Sequence, residues 1–211
     1  MFAFSGSPFP IPSSIVSMCQ ETWTGLATPG SVWSGADRVA MARLTRAARL
    51  RLDTPATGLP AEIEETVRTL SASPSATSQA FVESCVTAVG EPAYVELVGL
   101  VARVVAVDTF SRLVGVAPEP FPDPVPGAPV AVAPAGLPKR GKTWVSMTDL
   151  PVPPNVLSLV PPAQAATNVT AETLYMTGAQ MEDPDTTIDD LHRTQIEIVA
   201  STVSHANNCF Y

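Results

Sequence analysis

Five side chains near the end of the chain combine the groups that thiol chemistry needs. They are Glu197, Ser201, Ser204, His205 and Cys209. The first four recur at i, i+4, i+7 and i+8, so they would lie along one side of a helix. A carboxylate, hydroxyls and an imidazole in one row could pass a proton toward a thiol, which reacts as the thiolate. A solvated helix face has the same pattern, so periodicity alone leaves both interpretations open.

An apolar face accompanies this polar row and predicts an amphipathic helix between about residues 192 and 206. Its members recur at i, i+3, i+4 and i+7 and are Ile196, Val199, Ala200 and Val203. The helix would direct the polar row toward an Asn-Asn pair and the thiol that follows it.

Four earlier helices are predicted, and most have a recognisable start or end. Ser34 and Asp37 have the spacing of a capping box, and Pro60 suits the start of a second helix. Gly90 suits the C-terminal end of a third helix, in which Cys85 is expected to be a core residue. These helices are predicted over about residues 39–52, 60–70, 78–89 and 94–113.

The helix at 94–113 is apolar nearly all round, so we expect it to run through the middle of a helical domain. Its only polar stripe is Glu96, Gly99 and Arg103. Its most apolar part, 94–107, is too short to cross a bilayer, and no membrane association is expected.

Closely spaced prolines alternate with Ala and Val between Pro118 and Pro138, which predicts an extended polyproline-type linker. The expected architecture is all-α, with two helical units joined by this linker. The predicted parts are an N-terminal extension at 1–30, a first unit at 31–116, the linker at 117–143 and a second unit at 144–211.

The composition limits the classes of partner and the compartment. A net charge of −8 with only 12 Lys and Arg argues against a general nucleic-acid binder. The N-terminus lacks the basic and apolar regions of an export signal. Three widely spaced cysteines do not make a disulfide framework, so a reducing cytoplasm is expected.

Two other motifs are weak. Residues 136–143 match the P-loop pattern G-x-x-x-x-G-K-T, but prolines on both sides leave no room for the strand and long helix that a P-loop needs, so a basic patch in the linker is preferred. His192, His205 and Cys209 offer three metal ligands without a fourth, so no metal site is predicted.

The segment 191–211 resembles the catalytic region of the alkylhydroperoxidase D and carboxymuconolactone decarboxylase family. That family has a Glu twelve positions before the first cysteine of a C-x-x-C. Glu197 and Cys209 have this spacing, and Cys209 lies in the final sequence Asn-Cys-Phe-Tyr. The resemblance implies that Glu197 is the proton-relay carboxylate and Cys209 the resolving thiol, with His205 assisting. A weaker similarity covers 155–160, and 34–116 resembles a family unit without its cysteines.

The resemblance implies a hydroperoxide reductase for antioxidant defence, with hydroperoxide as substrate, an external dithiol as reductant and no cofactor besides a redox-active thiol pair. A homo-oligomer is expected of the complete protein. Two alternatives stay open: an enzyme like carboxymuconolactone decarboxylase, which has the same fold without a dithiol, and a non-catalytic helical protein.

The attacking cysteine of the motif would be residue 212, directly after Tyr211. We therefore expect the second unit to be incomplete and the sequence to be a truncated translation, inactive as a dithiol peroxidase. One hypothesis is a UGA codon that is read as selenocysteine at position 212, because a selenol is more fully ionised than a thiol at neutral pH. The nucleotides after the Tyr211 codon would test it.

Overall fold

The computed structural model describes residues 2–53, 56–134, 136–141, 143–148 and 155–207. In this part of the chain eight α-helices are joined by loops, with one 3₁₀ turn at Pro74–Ala76. A two-stranded antiparallel sheet pairs β1 (Thr187–Ile188) with β2 (Leu191–His192). The expected all-α fold is confirmed. The helices are α1 (Ser13–Ala27), α2 (Gly35–Leu50), α3 (Ala61–Ala72), α4 (Gln79–Val89), α5 (Glu91–Leu113), α6 (Pro161–Leu174), α7 (Gly178–Glu182) and α8 (Arg193–Ala206).

The chain divides into two compact units, Met1–Thr170 and Ala171–Tyr211. The sequence predicts a boundary in the Pro-rich segment. That segment lies within the first unit, and the division falls inside α6.

Local sequence signals set the ends of the helices in the first unit. The Ser34 hydroxyl accepts a hydrogen bond from Asp37 N (3.2 Å), and the Asp37 carboxylate accepts one from Ser34 N (3.2 Å), so the predicted capping box is present. Gly90 separates α4 from α5 with a φ of 87°, which an L side chain rarely adopts.

Helix α5 runs through the core of the first unit, as predicted. Twelve of its residues are buried, and it packs against α1, α2, α3 and α4. Leu97 and Leu100 are fully enclosed. Because α5 is surrounded by other helices, it can be apolar on nearly every side.

Residues 13–27, which the sequence analysis placed in an extension, form α1. Trp23 and Leu26 of this helix have no exposed surface. The helix starts directly after Pro12 and has neither acidic residues in its first turn nor basic residues in its last. Its apolar residues Cys19, Trp23 and Leu26 recur at i, i+4 and i+7, a signal that could have identified it.

The described residues of the Pro-rich segment, 118–134 and 136–138, form neither helix nor strand, as predicted. The segment nevertheless packs on the helices. Phe121 stacks on Trp23 with ring centroids 5.3 Å apart, and Trp23 Nε1 donates to Pro120 O (3.1 Å). Val125 N donates to Ala27 O (2.9 Å). We call residues 119–130 the strap, because they pack along the helices of the first unit.

No helix in the described part of the chain is both long and apolar enough to span a membrane.

Candidate functional site

Helix α8 carries the predicted polar row, and its first residues are fixed by a capping box. His192 precedes the helix, and its Nδ1 accepts a hydrogen bond from Thr194 N (3.2 Å). The Gln195 side chain accepts one from His192 N (2.9 Å). His192 therefore acts in capping, as its place near the predicted helix start suggested.

Glu197 lies one turn into α8 with 44% of its side chain exposed. Its Oε1 is 3.6 Å from Arg193 Nε, one turn earlier on the same helix. Tyr175, in the loop after α6, is another neighbour of Glu197. Burial, followed by the charge of Glu197 and a hydrogen bond with it, raises the pKa of Tyr175. Sequence reasoning missed Tyr175, because it lies 22 positions before Glu197 and no spacing rule connects the two.

His205 lies near the end of the same helix and is exposed. Glu197 and His205 are eight residues apart, so about 12 Å of helix axis and about 80° of rotation separate them. A direct hydrogen bond between them is excluded by that length. Proton transfer between them would have to use hydroxyls such as Ser201 and Ser204, or water.

Helix α8 ends at Ala206. Asn207 Nδ2 donates to Val203 O (2.8 Å), a carbonyl of the last turn that also accepts a hydrogen bond from Asn207 N (3.1 Å). Cys209 lies outside the described residues, so the structure brings Glu197 and His205 onto one helix and leaves the thiol's position unassigned.

The other two cysteines lie in the interior of the first unit. Cys19 has no exposed surface, and burial raises the pKa of its thiol to about 11. Cys85 is 3% exposed, which confirms it as a core residue, and its pKa is also raised, mainly by burial. Both thiols are therefore protonated at neutral pH and poorly reactive.

Part of the apolar face of α8 is open to solvent. No residue of this helix is buried, and the most exposed apolar side chains are Ile198 (62%), Val199 (63%) and Val203 (55%). Of the face that the sequence predicted to be core, Val199 and Val203 are exposed, whereas Ile196 and Ala200 are partly buried.

The segment that matches the P-loop pattern has a different structure. Lys139 and Met147 form an isolated antiparallel bridge in which each N–H donates to the other's carbonyl (2.8 and 2.9 Å). Arg140 pairs with Glu91 at the start of α5 (2.5 Å). Lys142 lies outside the described residues. A phosphate-binding loop needs a strand before it and a helix directly after it, and the described residues 116–148 contain neither.

The described residues contain no group of three or more His, Cys, Asp or Glu side chains arranged to hold a metal ion. Comparison with known proteins gives no match among family models, curated proteins or solved structures.

Proposed function

We propose that this chain belongs to a thiol-dependent, or selenol-dependent, hydroperoxide reductase that acts in antioxidant defence. Cys209 is its resolving thiol, and Glu197 and His205 accept and donate protons during the reaction. The main support is α8, which is continuous from Arg193 to Ala206, carries both proton-transfer groups and ends three residues before Cys209. The resemblance of this segment to the alkylhydroperoxidase D family supplies the reaction type.

The chemistry requires a second nucleophile beside Cys209. Its thiolate or selenolate attacks the outer oxygen of the hydroperoxide, the O–O bond breaks and the alcohol leaves with a proton. The resulting sulfenic or selenenic acid condenses with the Cys209 thiol, releasing water and forming a disulfide or selenenylsulfide. An external dithiol then reduces that bond and becomes a disulfide itself. A cytoplasmic location and a homo-oligomer belong to the same proposal.

Glu197 suits the proton-transfer role because it is partly exposed and only loosely paired with Arg193. A carboxylate fixed in a buried ion pair could not exchange a proton as readily. Tyr175 would hold the carboxylate in position through its hydroxyl. Replacing Glu197 should therefore slow proton transfer with little effect on folding.

The direct test uses the chain with one cysteine appended after Tyr211, which completes a C-x-x-C. With a hydroperoxide and dithiothreitol this chain should turn over, whereas a chain with an appended serine should not. Glu197→Gln in the cysteine-extended chain should lower kcat/KM about 100-fold while Tm stays nearly constant. Glu172→Gln, an exposed carboxylate on α6, is the matched control and should leave both unchanged.

Two results would contradict the proposal. Absence of turnover in a folded, cysteine-extended chain would favour a non-catalytic helical protein, for which the exposed apolar face of α8 is the supporting observation. Equal losses of Tm and activity in Glu197→Gln would assign that carboxylate a structural role.

A further inference from the structure

The N-terminal end of α8 is capped by an imidazole, and a neutral ring is needed to make this cap. His192 Nδ1 accepts a hydrogen bond from Thr194 N (3.2 Å) and lies 3.1 Å from Thr194 Oγ1. The lone pair that accepts the bond is also the one that takes up a proton, after which Nδ1 is a donor. A protonated ring would therefore direct an N–H group at the N–H group of Thr194, and the cap would be lost.

Protonation of His192 also adds a positive charge to the end of the helix that is already positive. The backbone N–H groups of the first turn give a helix N-terminus a partial positive charge, so a cation there is unfavourable. Arg193, the first residue of α8, already contributes one cation. Loss of the acceptor and charge repulsion act in the same direction, so both weaken the first turn.

His192 is exposed, and the charged residues around it lie in the β1–β2 hairpin, just before that hairpin and in the first turns of α8. These residues are Asp183, Asp185, Asp189, Asp190, Arg193 and Glu197. Within the described part of the chain none of them forms an ion pair with the ring. Across the sheet His192 pairs with Thr187, which is uncharged. The capping hydrogen bond is therefore the contact that a proton on the ring changes.

We propose that His192 is a pH-sensitive cap, which holds the first turn of α8 when the ring is neutral and releases it when the ring is protonated. Imidazole is the side chain that ordinarily changes charge between about pH 5 and about pH 8. No residue of α8 is buried, so packing holds this helix weakly and the loss of a cap lowers its helical population directly. The other half of the capping box, from His192 N to the Gln195 side chain (2.9 Å), involves no titrating group. The cap acts on α8 whatever reaction Cys209 performs.

Amide hydrogen exchange of the full chain, measured by NMR at about pH 7.5 and about pH 5.5, tests the cap. The intrinsic rate at each pH is divided by the observed rate, so that protection factors are compared. Protection of amides 196–199 should fall about fivefold in the wild-type chain at the lower pH. His192→Asn should keep its protection at both pH values, because an Asn side chain caps helices and does not titrate.

The matched control is His205→Asn, because the chain contains two histidines and His205 lies in the last turn of the same helix. A cation at that end is favourable, so this variant should show at least the fall that the wild-type chain shows. Equal protection of the wild-type chain at the two pH values, or an equal fall in His192→Asn, would overturn the proposal.

A pH titration of the wild-type chain followed by NMR gives a second test that does not depend on a variant folding. The amide proton of Thr194 should move upfield as the ring signals of His192 titrate, because the hydrogen bond to Nδ1 is lost. A Thr194 amide signal that does not follow the His192 ring would exclude the cap.

Discussion

Glu91, at the start of α5, binds Arg140 and Ser146 through its ionised carboxylate. The carboxylate accepts hydrogen bonds from Arg140 (2.5 Å) and from Ser146 N (3.1 Å). Burial opposes its ionisation, but these two hydrogen bonds outweigh burial and hold the pKa of Glu91 below its ordinary value of 4.5. The charged form is therefore the one that the fold stabilises.

Because the pKa of Glu91 is lower in the folded than in the unfolded chain, its contribution to stability is complete above the unfolded pKa and disappears as pH falls through the folded one. Glu91→Gln should lower the free energy of unfolding by about 1 kcal/mol at pH 7, after allowance for the exposure of Arg140. Urea denaturation should show this difference unchanged down to about pH 5 and shrinking below about pH 4.5.

The matched control is Glu65→Gln, at an exposed position on α3, which should change stability little at any of these pH values. A difference between Glu91→Gln and wild type that grows as the pH falls would contradict the assignment. It would mean that the neutral carboxyl is the stabilising form.

At the scale of elements, the strap contributes to the first unit through a stacked aromatic group. The Arg46 guanidinium lies 3.9 Å from the ring centroid of Phe121. The same ring also stacks on Trp23. Arg46 also binds Asp108 of α5 through two hydrogen bonds of 2.8 and 2.9 Å. The strap is thus fastened to α1, α2 and α5 through these side chains.

Phe121→Ala should lower the free energy of unfolding by about 2 kcal/mol, because it removes a half-buried ring, its stacking and its cation–π contact. Val132→Ala, at a 45% exposed position just beyond the strap, should change it by less than about 0.5 kcal/mol. Urea denaturation followed by tryptophan fluorescence measures both. Equal effects of the two substitutions would mean that the strap is a free linker in solution.

Local signals explain which elements could be predicted. The capping box at Ser34 and the continuous apolar pattern of α5 are contained within a few residues, and both helices were found. The contact of Phe121 with Trp23 joins residues 98 positions apart. Composition alone therefore predicted a linker and could not show that the strap packs on the helices. The pairing of Arg38 with Glu96 is equally non-local. At the candidate site, residue spacing predicted the polar row on α8, but it could not predict that Tyr175 lies beside Glu197.

At the scale of the whole molecule, the two units differ in how much surface they bury. Twelve residues of α5 in the first unit are buried, and none of α8 in the second. Helices without buried side chains open with a small free energy, because little apolar contact is lost. The unit that carries the candidate site is therefore expected to be the less stable one.

Hydrogen exchange followed by mass spectrometry should show this difference. Amides of α5 between Leu97 and Val104 should exchange at least about tenfold more slowly than those of α8 between Glu197 and Val203. Equal protection of the two helices would contradict the expectation. It would show that the apolar face of α8 is covered in solution.

Site-resolved oxidation tests the central claim, that Cys209 is the redox thiol of this chain, most directly. The cysteine-extended chain is treated with one equivalent of hydroperoxide, remaining thiols are alkylated, and peptides are mapped by mass spectrometry. We predict a disulfide between Cys209 and the appended cysteine, with Cys19 and Cys85 recovered as alkylated thiols because both are buried and have raised pKa values. Oxidation of Cys19 or Cys85 while Cys209 stays reduced would contradict the account.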